Sequence, residues 1–256
     1  MMNRLKKLFD RKKQNLLALY FTAGFPAIEN MAEIIYSFET SDADILEIGI
    51  PFSDPMADGP VIQKSGLQAL KNGMSVALMF EILKEIKTSK PKVVMSYFNP
   101  IFKFGMENFC RKCAETEIDG MIIPDLPFDE FEKSYKKIFN KYELSFIPLV
   151  TDTTSDERLQ KAIEIGSGFL YLASAHITTG SISGMDFSLE FKGKIKQIQK
   201  QIPVMIGFGI GNHAQFNKAC IVSNGAIIGS AYIRTLEKTN DIRRETIDFV
   251  KSIKQG

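Results

Sequence analysis

Along the chain of 256 residues, short apolar runs alternate with longer segments whose apolar positions recur at i, i+3 and i+4. The runs span 16–22, 44–50, 93–97, 120–124, 145–150, 168–173, 203–208 and 225–229. Their near-continuous hydrophobicity predicts parallel strands covered on both faces rather than half-wetted antiparallel ones. Amphipathic helices are predicted between them over 28–40, 76–88, 106–116, 129–142, 155–165, 189–201 and 213–223. Ser75 and Ser155 stand where helix N-caps are expected. Successive strand starts lie 28, 49, 27, 25, 23, 35 and 22 residues apart, so most intervals suit one βα unit and the 49 marks an insertion after the second strand. Eight strands in strict alternation with helices predict a closed (β/α)8 TIM barrel, one domain over residues 1–256. An open doubly wound sheet is the alternative, because closure leaves no mark in the sequence.

The stretch 3–13 carries six basic residues and one acid around Leu5, Leu8 and Phe9. Its apolar face is short for a membrane-surface helix, and it reads as an extra N-terminal helix plugging the bottom of the barrel. Composition narrows the function classes. With 32 Lys+Arg against 30 Asp+Glu, the formal net charge of +2 lacks the basic excess of a dedicated nucleic-acid binder. No apolar run approaches the roughly 18 residues of a membrane span. The start has no apolar signal segment, so the expected location is cytoplasmic. The three cysteines are too few for a disulfide framework. Cys110 and Cys113 form a C-x-x-C inside an apolar stripe with Met106, Phe109 and Ala114, which reads as a buried helix face. His176 and His213 stand alone, and no metal site is expected.

Function in a barrel gathers at the C-terminal strand ends and the loops after them. In the second strand Leu46, Ile48 and Ile50 face outward, leaving Ile45, Glu47 and Gly49 inside. A carboxyl among apolar layers has its pKa raised by desolvation, which suits a general acid–base; a structural bridge to an interior polar group is the alternative. Asp54 and Asp58 follow in the Pro-rich loop 51–60, either as turn formers or as a second carboxylate above Glu47. The exit Gly207-Phe208-Gly209-Ile210-Gly211-Asn212, with Gly229-Ser230 after the last strand, matches the phosphate site of barrels, where backbone N–H groups and helix N-termini face the anion. Its G-x-G-x-G spacing is not a dinucleotide fingerprint. The Ser/Thr/Gly-rich segment 174–185 is either a lid or a plain surface loop. No Lys falls within or at the end of a predicted strand, which disfavours Schiff-base chemistry. Tyr20, Phe21, Tyr97, Phe98, Tyr171 and Phe208 are expected to make the mouth aromatic. These features together point to metal-free acid–base chemistry on a phosphorylated substrate.

The block Leu46-Glu47-Ile48-Gly49-Ile50-Pro51-Phe52-Ser53-Asp54-Pro55-Met56-Ala57-Asp58-Gly59-Pro60 resembles the signature of the tryptophan synthase alpha chain family. The resemblance continues through Thr22-Ala23-Gly24, Tyr97-Phe98-Asn99-Pro100, Pro124-Asp125-Leu126-Pro127, Gly207-Phe208-Gly209 and Gly229-Ser230-Ala231. It implies a lyase that splits indole-3-glycerol phosphate into indole and glyceraldehyde 3-phosphate. In it Glu47 would be the acid–base, and Asp58 would accept the indole N–H. The resemblance places phosphate contacts at Gly180, Gly209, Gly229 and Ser230. Substrate contacts fall at Tyr20, Met95, Ile122, Tyr171, Thr179 and Phe208, with Thr179 meeting Asp58 on closure. It implies no cofactor on this chain and a pyridoxal-phosphate-bearing beta chain as partner, in an alpha2beta2 assembly, with 51–58 and 174–185 as the communicating loops. One departure is that Ile177-Thr178 replaces the family's Gly-Val before Thr179. Another phosphate-binding barrel isomerase or synthase, and a non-catalytic activating subunit, are the rival readings.

Overall fold

The computed structural model describes residues 3–173 and 189–256. The expected lid, with Thr179, Gly180 and the Ile177-Thr178 departure, lies outside the described residues. The strands are β1 Leu16–Thr22, β2 Ile45–Gly49, β3 Lys92–Met95, β4 Gly120–Ile122, β5 Ser145–Phe146, β6 Leu149–Thr151, β7 Leu170–Ala173, β8 Val204–Gly207 and β9 Gly225–Ile228. They form one parallel sheet in the order β5-β4-β3-β2-β1-β9-β8-β7-β6.

The two edge strands of that order are consecutive in the chain and separated only by Ile147-Pro148. They are the two halves of the single strand expected over 145–150. Ile147 N–H donates to the Met121 carbonyl on one side (2.9 Å), and the Pro148 carbonyl accepts from Tyr171 N–H on the other (3.0 Å). Proline has no N–H to give, so the ladder breaks there while the barrel stays closed. The fold is therefore the (β/α)8 barrel, its fifth strand interrupted.

Alternation along each strand sorts the core into two layers, as β-geometry requires. Leu17, Leu19, Phe21, Leu46 and Ile48 pack outward against the helices. Leu16, Ala18, Ile45, Val93, Ile122, Phe169, Met205 and Ile227 fill the barrel. The N-terminal helix Arg4–Arg11 closes the bottom by adding Leu5, Leu8 and Phe9 to that inner layer, with Phe9 and Phe169 rings 5.9 Å apart. Arg4 anchors it with a fork of hydrogen bonds onto the buried carboxylate of Asp119 (2.8–3.1 Å).

The long second interval holds two helices, Pro60–Lys71 and Val76–Lys84, where the sequence predicts only the latter. Phe98–Phe104, Ser230–Lys238 and Ile242–Lys254 are likewise additional. Pro60 closes the Pro-rich loop expected over 51–60, yet it and Pro100 both sit in the first turn of a helix, where a missing N–H is harmless. Ser75 and Ser155 do cap their helices, accepting from Leu78 and Arg158 N–H. Cys110 and Cys113 are fully buried on the helix Met106–Glu115, their sulfurs against Met106 (3.9 Å) and Met121 (3.7 Å).

One expectation is corrected. β3 begins at Lys92, so a lysine does stand in a strand. It pairs with Leu46 in register, on the outward face, at the end away from the mouth, and its Nζ donates to the Thr116 carbonyl (2.8 Å). A side chain tied there cannot reach a substrate at the C-terminal strand ends, so the argument against a Schiff base keeps its force for a different reason.

Candidate active site

Glu47 is the central residue of β2, and register fixes its neighbours. Tyr20 lies beside it on β1 and Val93 on β3. Only 1% of Glu47 is exposed, and its Oε2 has no hydrogen-bond partner. Burial first, and the nearby Asp58 charge second, push its carboxyl up to about 8, so at neutral pH it holds its proton. A buried acid poised near neutrality is what proton transfer needs.

Asp58 arrives from the loop after β2. Burial raises its carboxyl, and a hydrogen bond from Tyr97 partly offsets that rise. Two carboxyls at one mouth, one fully buried and one partly buried, are driven to different proton affinities by their surroundings. The loop is held from below: the Tyr97 hydroxyl accepts from Ala57 N–H (2.9 Å), and the Phe52 ring packs 5.5 Å from the Tyr97 ring. This clamp is a finding of the three-dimensional arrangement. Tyr97 stands in a visible motif at the exit of β3, but nothing in the sequence says that its hydroxyl meets the loop after β2. Thr22 and Ser65 were also beyond sequence reasoning; their hydroxyls meet at 2.7 Å behind Tyr20.

The expected substrate-contacting residues come together across neighbouring strands. Tyr20 on β1 precedes Glu47 and Gly49 on β2, Gly49 pairs with Met95 on β3, and Met95 pairs with Ile122 on β4. From the other side, Tyr171 on β7 lies within electrostatic reach of Glu47, Tyr20 and Asp58. Phe208 follows β8 with its ring at a right-angle contact 6.4 Å from Tyr171. Phe208 has φ +77° and remains 38% exposed, a left-handed backbone that turns its ring over the mouth. Phe21 and Phe98 do not belong to this mouth. Phe21 is on the outward face of β1, and Phe98 packs on Phe102 and Tyr135 among the helices.

Gly209 (φ +69°) follows Phe208, and Asn212 then caps the helix His213–Val222. Gly229 is the N-cap of Ser230–Lys238, so Ser230 opens that helix. The two exits touch: a Cβ at Gly211 would sit 3.1 Å from the Ala231 Cβ. Adjacent glycine-rich helix starts present N–H groups and positive potential to one region. Among the described residues no three His, Cys, Asp or Glu side chains gather as a metal site would.

With this geometry established, the relatives can be stated. The sequence profile described as "Tryptophan synthase alpha chain" matches residues 5–255. The chain belongs to the tryptophan synthase alpha chain family. It is 46% identical over 238 residues to the tryptophan synthase alpha chain of Flavobacterium psychrophilum, an alignment covering 92% of this chain and 94% of that one. It is also 46% identical over 242 residues to that of Bacteroides fragilis (93% and 91%). Among solved structures, the alpha chain from Legionella pneumophila superposes with a TM-score of 0.85 at 30% identity, covering 100% of this chain and 97% of that one. A tryptophan synthase from M. tuberculosis gives 0.86 at 28% identity, with 99% and 100% covered. Membership in the family makes the chain a lyase of tryptophan biosynthesis on a TIM barrel. No helix among the described residues is long and apolar enough to cross a membrane.

Proposed function

We propose that the chain, acting as one barrel domain over residues 1–256 in the cytoplasm, cleaves indole-3-glycerol phosphate into indole and glyceraldehyde 3-phosphate, with Glu47 as the acid–base. The observation that carries this reading is the buried, protonated Glu47 beside Asp58 at an aromatic mouth. Glu47 gives its proton to indole C3, which makes the ring a cationic leaving group. Asp58 accepts the indole N–H and stabilises the positive charge growing on the ring. The glycerol hydroxyl then returns a proton to Glu47. Its O–H electrons form the aldehyde carbonyl as the carbon–carbon bond breaks, and those bond electrons restore the neutral indole. The net proton count on Glu47 is unchanged, so the chemistry needs no cofactor of this chain and no metal.

Tyr20, Met95, Ile122, Tyr171 and Phe208 supply the apolar walls for the indole ring, and Gly209, Gly229 and Ser230 the phosphate cradle. Thr179 and Gly180 complete the site in this reading and lie outside the described residues. A Schiff-base route loses ground because Lys92 is tied down at the far end of its strand. Indole release from indole-3-glycerol phosphate by the wild-type chain, with and without a beta chain, tests the assignment. Isomerisation without free indole favours another barrel enzyme, and no turnover in either condition favours an activating subunit.

The partner in this reading is a pyridoxal-phosphate-bearing beta chain in an alpha2beta2 assembly that receives the indole. Two apolar side chains support a docking face on the mouth side. Met56 in the loop after β2 is 84% exposed, and Phe102 on the helix after β3 is 63% exposed. The Tyr97–Ala57 bond holds these two elements side by side. Phe102→Asp is expected to weaken beta-chain binding by about tenfold or more and to leave cleavage by the isolated chain near wild type. Titration calorimetry or stimulation curves measure the first, and unchanged affinity removes Phe102 from the interface.

A further inference from the structure

Tyr97 supports the loop after β2, and its own backbone is gripped from two sides. β3 ends at Met95, whose carbonyl accepts from Ile50 N–H (2.9 Å), and Ser96 N–H donates to the Ile122 carbonyl (3.0 Å). The chain then leaves the sheet, and Tyr97 becomes the N-cap of the helix Phe98–Phe104, with no cap bond from its own side chain. The peptide joining Tyr97 to Phe98 is held at both of its polar atoms. Ser96 Oγ donates to the Tyr97 carbonyl (2.9 Å), and Phe98 N–H donates to Asp125 Oδ1, which arrives from the loop after β4 (2.8 Å). A first-turn N–H has no partner within its own helix, and a carboxylate is the acceptor that the positive helix end favours.

From that fixed stem the Tyr97 side chain reaches the loop. Ser96 is 1% exposed and Tyr97 3%, so the stem is shielded from water. Tyr97 Oη accepts from Ala57 N–H (2.9 Å), which leaves its own proton for the Asp58 carboxyl, to which it is hydrogen-bonded. The Phe52 ring packs against the same phenol ring, and the Gln63 side chain holds the Asp58 carbonyl from the helix that follows (2.8 Å). Tyr97 thus supports the loop at the residue before Asp58 and at the Asp58 carboxyl itself. Ser96 and Asp125 meet neither; both bond to the peptide from which the phenol extends.

We propose that Ser96 and Asp125 are positioning residues for Asp58: together they fix the Tyr97–Phe98 peptide, and through the Tyr97 phenol they hold the Asp58 carboxyl at the mouth. The inference rests on the role given to Asp58 above. A buried hydroxyl and a helix cap with a purely structural duty would contribute to stability alone.

The hydrogen bond from Tyr97 lowers the Asp58 carboxyl against the rise that burial imposes. The other titratable groups around Asp58 are Glu47 on β2, Tyr20 on β1 and Tyr171 on β7, and the variants leave all three in place. In Ser96→Ala, which changes no charge, the carboxyl carbon of Asp58, followed by 13C NMR, is expected to titrate about half a pH unit higher than in the wild type. The acid limb of kcat/KM should move up with it, a roughly threefold loss on that limb. Asp125→Ala should shift both readouts the same way. Loss of the Asp125 charge by itself would move Asp58 down, so an upward shift reports the lost grip. Asp125→Asn keeps an acceptor oxygen for Phe98 N–H and should return both readouts most of the way to the wild-type values. In a Tyr97→Phe background, where no phenol bonds Asp58, neither alanine variant should move the Asp58 titration further. The proposal is overturned if Asp58 titrates as in the wild type in Ser96→Ala or in Asp125→Ala, or if either still shifts it in the Tyr97→Phe background, whatever happens to thermal stability. A shifted NMR titration with an unmoved rate profile upholds the grip and removes Asp58 from the ionising groups of the reaction.

Discussion

Glu47→Gln is expected to abolish indole release while making the folded chain more stable. The loss of rate comes first. Glutamine keeps the shape of the side chain but can neither give a proton to indole C3 nor take one from the glycerol hydroxyl. Single general acid–base groups contribute about 10²–10⁴-fold, and Glu47 serves both proton transfers, so a loss of at least about a thousandfold is expected. The gain in stability follows from linkage. The folded carboxyl holds its proton up to about 8, against 4.5 for the free side chain. Between those values the unfolded chain has released a proton that the folded chain still binds. Stability therefore falls as pH rises through that window, fully retained below the lower value and lost as pH passes the higher one. At pH 7 the deficit is on the order of 3 kcal/mol as an upper bound. A neutral amide carries no such deficit, so the variant's advantage should grow from pH 5 to pH 8 and level off above. Urea unfolding across that range measures it. A variant that turns over near the wild-type rate sinks the catalytic assignment, and one with no pH-dependent gain shows that Glu47 is ionised in the folded state.

The difference between what the sequence carried and what it did not is a difference between one-dimensional and three-dimensional information. The period-two placement of Ile45, Glu47 and Gly49 was enough to put a carboxyl inside the barrel, because a strand has only two faces. Asp58 followed from proximity in the chain. The interruption at Pro148 was hidden, since a strand that switches partners in mid-course has the same hydrophobic pattern as one that does not. The helix Pro60–Lys71 was hidden because proline and glycine look alike as punctuation until the cap geometry is known. Tyr97–Ala57 and Thr22–Ser65 join residues 40 and 43 positions apart, and no local pattern announces either bond. Phe21 and Phe98 stand outside the mouth because aromatic residues at strand exits serve the outer layer as readily as the mouth.

The two glycines at the strand ends lead to the second large effect. Gly49 and Gly207 lie in nearly equivalent places on opposite sides of the mouth. Gly49 pairs with Thr22 two residues after Tyr20, and Gly207 pairs with Ala173 two residues after Tyr171. Neither has a positive φ, so their glycine identity is a matter of space. A Cβ on Gly49 would lie 2.1 Å from Tyr20 Oη, 2.4 Å from Cζ and 2.5 Å from Cε2; one on Gly207 would meet the same three kinds of atom of Tyr171 at 2.1, 2.4 and 2.5 Å. Both tyrosines are 7% exposed, and each rigid ring must move as a whole. Gly49→Ala is therefore expected to drive the Tyr20 ring off its strand and into the space assigned to the indole, costing about 1–3 kcal/mol of stability by overpacking. A misplacement of that kind should cost at least about a hundredfold in kcat/KM. Gly207→Ala should do the same through Tyr171. Tyr20→Phe cannot relieve the first variant, because the clash includes ring carbons as well as the hydroxyl. Tyr20→Leu should relieve it, returning the Gly49→Ala chain to the Tm of Tyr20→Leu alone without restoring activity. If Gly49→Ala and Gly207→Ala each fold and turn over as the wild type does, the rings are not held against these glycines, and the substrate pocket has a different shape from the one described.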